Sequence, residues 1–305
     1  MVLILGAIGG VGNGHEARRM PETPIRRWTS QRHLATSFAK PDPVCLPSAG
    51  LVMDAAVKSA IAVDRLVKTY ATTTAVKGIS FSLMPGTMTG LLGGNGAGKS
   101  TTIATIMGLL TPTSGTVRVL GADMPRQRYR VLHRMNFQSP YVDMPMRLTV
   151  RQNLRVFGDL YAVPDIAGRI DQLASDLDLR EILDRPSGKL SAGQKTRVSV
   201  AKSLLNNPEV LLLDEPTASL DPDTADWVRG HLERYCRTHN ATVLLASHNM
   251  AEVERLCERV IMMKKGEIVD DDTPQQLLAR YGRETLEDVF LDIARGRGDA
   301  QQRVP

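Results

Sequence analysis

Two stretches of this chain carry residue types at spacings that suit phosphate chemistry. The first is GGNGAGKST, residues 93–101, set between an apolar run at Met88–Leu92 and a helical pattern that opens at Lys99. Gly93, Gly94, Gly96 and Gly98 let backbone N–H groups converge on an oxyanion, and Lys99 adds a point charge toward it. Asn95, Ala97 and Thr101 complete the cradle, Ser100 offers a hydroxyl to Mg²⁺, and the helix N-terminus contributes its positive end. The second stretch is EVLLLDEPTASLD, residues 209–221, which puts Asp214 and Glu215 at the C-terminal end of an apolar run. Open α/β sheets hold ligands at that end of their strands. Asp214 suits Mg²⁺ held through water, and Glu215 suits taking a proton from a water that attacks a terminal phosphate. A Gly-rich turn with an incidental lysine and a strand-terminal acidic cap are the plain alternatives. Finding both patterns in one chain argues against them.

From Ala60 onward, strand patterns alternate with helical ones. Apolar periodicity predicts strands at Ile61–Tyr70, Ala75–Leu83, Met88–Leu92 and Gly115–Leu120, and a helix at Lys99–Leu110. Thr149 reads as the cap of a helix reaching Tyr161; further helices are expected at Ile166–Leu177 and Ala192–Asn206, with helices alone between Pro140 and Pro208. Strand patterns return at Val210–Leu213, Thr242–Ala246 and Val260–Met263. These runs are apolar on both faces, as central parallel strands covered by helices must be. The plan is an α/β core interrupted by an all-helical insertion. No internal repeat is evident, which implies one nucleotide-binding unit.

Composition narrows the class. At 305 residues, with 42% hydrophobic and 23% charged residues, the chain can bury one or two cores. No run of eighteen apolar residues occurs, and the apolar start at Met1–Val11 is followed, not preceded, by its arginines, so neither a span nor an export signal is expected. Residues 1–58 are rich in Gly, Pro, Ser, Thr and Arg without a period, and are expected to be a disordered tail or a mis-set start, Met53 being an alternative first residue. Cys45, Cys236 and Cys257 form no CxxC pair, so no disulfide framework or zinc site is indicated. The net charge is +5, of which residues 1–53 supply +3 from six basic and three acidic side chains. No long basic run with interleaved aromatics follows, and nucleic acid is not an expected partner.

With LSAGQ at residues 190–194, opening a helix, these stretches together resemble the ATP-binding subunit of ABC transporters. The resemblance implies a P-loop NTPase (RecA-like) core with an antiparallel β subdomain and an all-helical signature subdomain, and ATP with Mg²⁺ as cofactors. It places the ATPase domain at residues 59–272, the helical subdomain at about 139–207, and a C-terminal helical extension at 273–305. It also implies that Ser191 and Gly193 reach across a dimer interface to the γ-phosphate held by the P-loop of a second copy, with Gln194 among the nucleotide-binding residues. Gln138, in NFQSP, resembles the glutamine that senses Mg²⁺ and the attacking water at the hinge to the helical subdomain. Asp221 and Ser219 resemble the D-loop, His248 the switch histidine that contacts the γ-phosphate, and Tyr70 the aromatic that stacks on adenine. Each taken singly has a plain structural reading: a loop glutamine, a core histidine, a strand-end tyrosine. Two positions depart from the family pattern. Gly94 stands where a proline is usual, and Ala192 replaces a glycine of the signature, adding a methyl near the opposing phosphate.

The run TLEDVFLDIARGRG, residues 285–298, resembles the tail helix of ABC-2 exporter ATPases, and its stripe of Leu286, Val289, Phe290 and Ile293 equally suits a plain docking helix. The reading that follows is an ATPase on the cytoplasmic face of a bacterial inner membrane, paired with itself and with a multi-span membrane permease. Helices from Thr149 to Leu177 and the loop at Pro140–Leu148 would receive that permease. The alternatives are a soluble ABC ATPase acting on ribosomes or nucleic acid, an importer ATPase, and a non-catalytic module. Ribosome-acting relatives carry two such domains and repair relatives a long coiled coil, neither present here, while Lys99, Asp214, Glu215 and His248 are all intact.

Overall fold

A computed structural model describes residues 59–139, 144–218 and 220–295. The expectations placed on residues 1–58, on Ser219, on the first half of the loop at 140–148 and on residues 296–305 lie outside them. The chain begins with β1 (Ile61–Tyr70), β2 (Thr73–Leu83), β3 (Met88–Leu92), α1 (Lys99–Ile106), β4 (Ser114–Val119), β5 (Ala122–Met124) and β6 (Met135–Gln138). Three helices follow: α2 (Val150–Leu160), α3 (Ile166–Asp176) and α4 (Ala192–Leu204). Then come β7 (Val210–Asp214), α5 (Pro222–His239), β8 (Thr242–Ala246), α6 (Met250–Leu256), β9 (Arg259–Lys264), β10 (Glu267–Asp272), α7 (Pro274–Tyr281) and α8 (Leu286–Arg295).

Two sheets result. An antiparallel sheet runs β2-β1-β4-β5, and a mixed sheet runs β10-β9-β3-β8-β7-β6, parallel except for β10 at its edge. Side-chain alternation explains why the strands of the second sheet are apolar throughout. Leu211 and Leu213 of β7, with Val243 and Leu245 of β8, pack into a core shared with α4, α5 and α6. Val210 and Leu212, with Leu244 and Ala246, enter a second core shared with α1 and the antiparallel sheet. Each such buried Leu or Val is worth roughly 1.5–3 kcal/mol, so both faces contribute to holding the strand ends where the motifs sit.

The helix starts follow from local chemistry. Thr149 caps α2 in a capping box with Gln152, Asp221 caps α5 ahead of Pro222, and Thr273 caps α7 ahead of Pro274. The helix from Lys99 ends at Ile106, short of the expected Leu110, because Gly108 turns left-handed at φ 68° and closes the turn. Strands β5, β6 and β10 were not legible as patterns: the first two are three and four residues long, and β10 ends in three aspartates. Cys236 and Cys257 are buried and free. Among the described residues no helix is long and apolar enough to cross a membrane.

Candidate active site

The parallel sheet brings motifs far apart in sequence to one rim. In register, Gln138 of β6 pairs with Leu213, Asp214 of β7 pairs with Ala246, and Leu91 of β3 pairs with Ala246 from the other side. The C-terminal ends of four adjacent strands therefore deliver Gln138, then Asp214 and Glu215, then Ser247 and His248, then Gly93. This is the edge at which open α/β sheets bind their ligands.

At the end of β3 the Gly-rich loop is shaped by contacts that only glycine permits. Gly98, the N-cap of α1, has φ 105°, and a side chain there would stand 2.6 Å from the Ala75 carbonyl oxygen. Gly93 would meet the Met263 carbonyl oxygen at the same distance. Gly94 is different: a side chain there would meet only Phe290 Cζ of α8, at 3.9 Å. Phe290 of the tail helix is thus the one neighbour a side chain would meet at the position where the family pattern has proline, and Gly94 itself stays exposed. Lys99 donates to the Gly93 carbonyl at 2.5 Å and the Gly94 carbonyl at 3.4 Å. Burial pushes its ammonium below the ordinary lysine value, while the charges of Glu215 and Asp214 pull the other way. Gly94, Asn95, Gly96 and Ser100 are exposed, and Ala97 is buried.

Burial, the Glu215 charge second, raises Asp214 above the ordinary aspartate value, with Lys99 opposing. Gln138 is 4% exposed and its Oε1 has no hydrogen-bond partner. A buried amide oxygen without a donor, one strand away from Asp214, fits a ligand to Mg²⁺ or to its water. Glu215 itself takes a left-handed φ of 54°. Its N–H donates to the Ala246 carbonyl at 2.8 Å, its Oε1 lies 2.6 Å from His248 Nδ1 and accepts the His248 backbone N–H at 2.9 Å, and its Oε2 lies 3.3 Å from Ser247 Oγ. The carboxylate is therefore held from three directions at a strand end.

Three residues of this network went unread in the sequence. Ser247 is fully buried, Glu252 is 2% exposed, and Thr217 is 7% exposed, and all three connect to Glu215 or to one another. The one available signal was Glu252, an acidic residue at a core-facing position of α6.

The remaining expected site residues are not gathered at this rim by hydrogen bonds. Tyr70 ends β1, is 42% exposed, and has Lys68 Nζ 5.2 Å from its ring centre. Ser191 and Gln194 serve each other: the Ser191 hydroxyl accepts the Gln194 N–H at 3.2 Å, and Gln194 Oε1 accepts the Ser191 N–H at 3.1 Å. Asp221 accepts the Thr224 N–H at 2.9 Å, which lowers its carboxyl below the ordinary aspartate value. Gly193 faces Thr224 of α5. A cleft of about 210 Å³ is lined by Gln138, Glu215 and Ala192 among others, and by none of residues 93–101.

Residues 76–218 match the ABC transporter family. The chain is 35% identical over 224 residues to the Nod factor export ATP-binding protein I of Paraburkholderia xenovorans (strain LB400), covering 73% of each chain. The chain belongs to the ABC transporter ATP-binding family. It is likewise 33% identical over 226 residues to the ABC transporter ATP-binding protein NatA of Bacillus subtilis (strain 168), covering 73% of this ATPase and 92% of NatA. Among solved structures, cbiO1 from Clostridium perfringens, part of the ABC transporter complex cbiONQ, superposes with TM-score 0.65 at 30% identity, covering 72% of this chain and 91% of that one. A dimeric ATP-binding cassette bound to ADP and phosphate shares the fold at TM-score 0.64 and 23% identity, covering 70% and 98%. As a member of this family, the chain is an ATP-hydrolysing subunit of an ABC transporter, built on the P-loop NTPase fold.

Proposed function

We propose that two copies of this chain close on two ATP molecules and that the closure drives export through a separate multi-span membrane subunit. The observation that carries the reading is the Glu215 carboxylate, held by His248 and Ser247 on the rim that also bears the P-loop lysine. In that place Glu215 takes the proton of the attacking water, His248 orients it, and Lys99 with the backbone of 93–98 binds the phosphates. Gln138, Asp214 and Ser100 would hold Mg²⁺, which when bound neutralises phosphate charge. Tyr70 offers an exposed ring to adenine.

The signature supports a site shared between copies. Ser191 and Ala192 open α4 exposed, and the cleft that Ala192 lines includes none of residues 93–101. Asp221, also exposed, would stand at the same interface. Relatives named for Nod factor export point to outward transport, and the cytoplasmic face of a bacterial inner membrane is the place such a subunit would work. The exposed Val156 and Leu160 of α2 fit a contact with the membrane subunit.

Glu215→Gln tests the reading. Turnover should fall by roughly 10²–10⁴-fold, the usual worth of a positioned base, while ATP stays bound. With ATP and Mg²⁺ that variant should dimerise by light scattering, and tagged protein from detergent-solubilised membranes should bring a multi-span permease with it. A monomer at saturating ATP, or recovery with ribosomes, would overturn the proposal.

A further inference from the structure

Glu252 lies on α6, four residues after His248, and is 2% exposed. Its Oε1 accepts the Thr217 hydroxyl at 2.6 Å, and its Oε2 lies 3.0 Å from Ser247 Oγ. Ser247 Oγ also accepts the Asn249 N–H at 3.0 Å and lies 3.3 Å from Glu215 Oε2. Ser247 thus bridges two carboxyl groups, and Thr217 ties Glu252 to the chain two residues beyond Glu215.

A serine hydroxyl has one proton, and here two carboxyls face it. If Glu252 is ionised, that proton goes to the nearer oxygen, on Glu252, and Glu215 Oε2 loses its donor. If Glu252 carries a proton, every group is served. Thr217 donates to Oε1, Glu252 donates to Ser247 Oγ, and the Ser247 hydroxyl donates to Glu215 Oε2. Burial and the Glu215 charge favour the protonated carboxyl; the hydrogen bonds of Thr217 and Ser247 and the charge of Arg229 on α5 oppose it.

We propose that Glu252 is a positioning residue of the ATPase reaction, a protonated carboxyl that directs the Ser247 hydroxyl onto Glu215 and so aims the Glu215 carboxylate. The inference rests on Glu215 being the base. Glu252 is buried with Thr217 and Ser247 as its side-chain hydrogen-bond partners, so it reaches Glu215 through Ser247. It acts by fixing the orientation of a group whose backbone is already in an uncommon conformation.

The test compares Glu252→Gln, Glu252→Leu and Ser247→Ala in the full chain, with Glu215→Gln alongside, by phosphate release across ATP concentrations. The Gln amide can donate to Ser247 in place of the carboxyl, so Glu252→Gln should keep kcat within about threefold, less than the worth of one hydrogen bond. Glu252→Leu and Ser247→Ala should lose about tenfold in kcat with KM for ATP little changed, since one hydrogen bond to the base is gone. Wild-type kcat in Ser247→Ala, or a fall in Glu252→Gln as deep as that in Glu252→Leu, would overturn the proposal. If Glu252→Leu fails to bind ATP and so is misfolded, the other two variants decide. Undiminished turnover in Glu215→Gln would overturn the base assignment itself, whatever the Glu252 variants do.

Discussion

His248 grips one oxygen of Glu215 twice, through Nδ1 at 2.6 Å and through its backbone N–H at 2.9 Å. The backbone contact survives loss of the ring, so His248→Ala removes orientation and leaves the loop in place. The side chain is exposed, and its truncation should change stability little. A base misplaced by about 1 Å costs on the order of 10²-fold, so kcat should fall by about that much with ATP affinity nearly unchanged. Steady-state phosphate release, with nucleotide binding measured by calorimetry, checks both halves. Full activity in this variant would remove His248 from the mechanism.

Glu215 holds a left-handed φ of 54° in a residue that has a Cβ. Such a conformation costs a non-glycine residue about 1–2 kcal/mol. Glu215→Ala and Glu215→Gly lose the same carboxylate and the same bonds to Ser247 and His248, so comparing them isolates the backbone. The glycine variant should be the more stable by about 1 kcal/mol in urea unfolding, while both lack turnover. Equal midpoints would show that the backbone at 215 is relaxed.

Gly98 and Gly94 should respond unequally to the same change. Gly98→Ala drives a methyl to 2.6 Å from the Ala75 carbonyl at a φ of 105°, and ATP affinity should fall by more than about tenfold as the loop shifts. Gly94→Ala puts its methyl at ordinary contact distance from Phe290, and affinity should stay within about threefold of wild type, a difference under 1 kcal/mol. Fluorescent-nucleotide titration measures both.

Glu252 gives stability a pH signature. Its carboxyl is raised in the folded chain, by burial first, so the folded state keeps a proton that the unfolded chain releases from about pH 4 upward. Wild-type stability is then lost as pH rises through that window up to the raised folded value, and is level above it. Glu252→Gln has no such proton. The Tm of Glu252→Gln minus that of wild type should grow with pH across the window and then flatten, with other titrating groups cancelling in the difference. A difference that is constant between pH 4 and pH 8 would mean Glu252 is ionised in the fold as it is outside it.

How far the sequence reached depended on how local each feature is. The P-loop, the DE pair at the end of β7, and the cap at Thr149 are set by neighbours within four residues, so residue type and spacing specified them without a fold. The central strands were equally plain, because a strand covered on both faces must be apolar at every position. Gln138 could be named by order alone, but not its burial or its unpartnered oxygen, which come from β6 lying in register beside β7. Gln194 is expected at nucleotide from its motif; that its side chain also closes the capping box of α4 is seen only in the structure. Phe290 lies nearly two hundred residues from Gly94, and Thr217 and Ser247 reach Glu252 from two different elements. Hydrogen bonds and packing between residues so far apart have no periodic trace in the chain. They exist only after the sheet order has placed the ends of β6, β7, β8 and β3 side by side, which burial of both faces of the sheet decides.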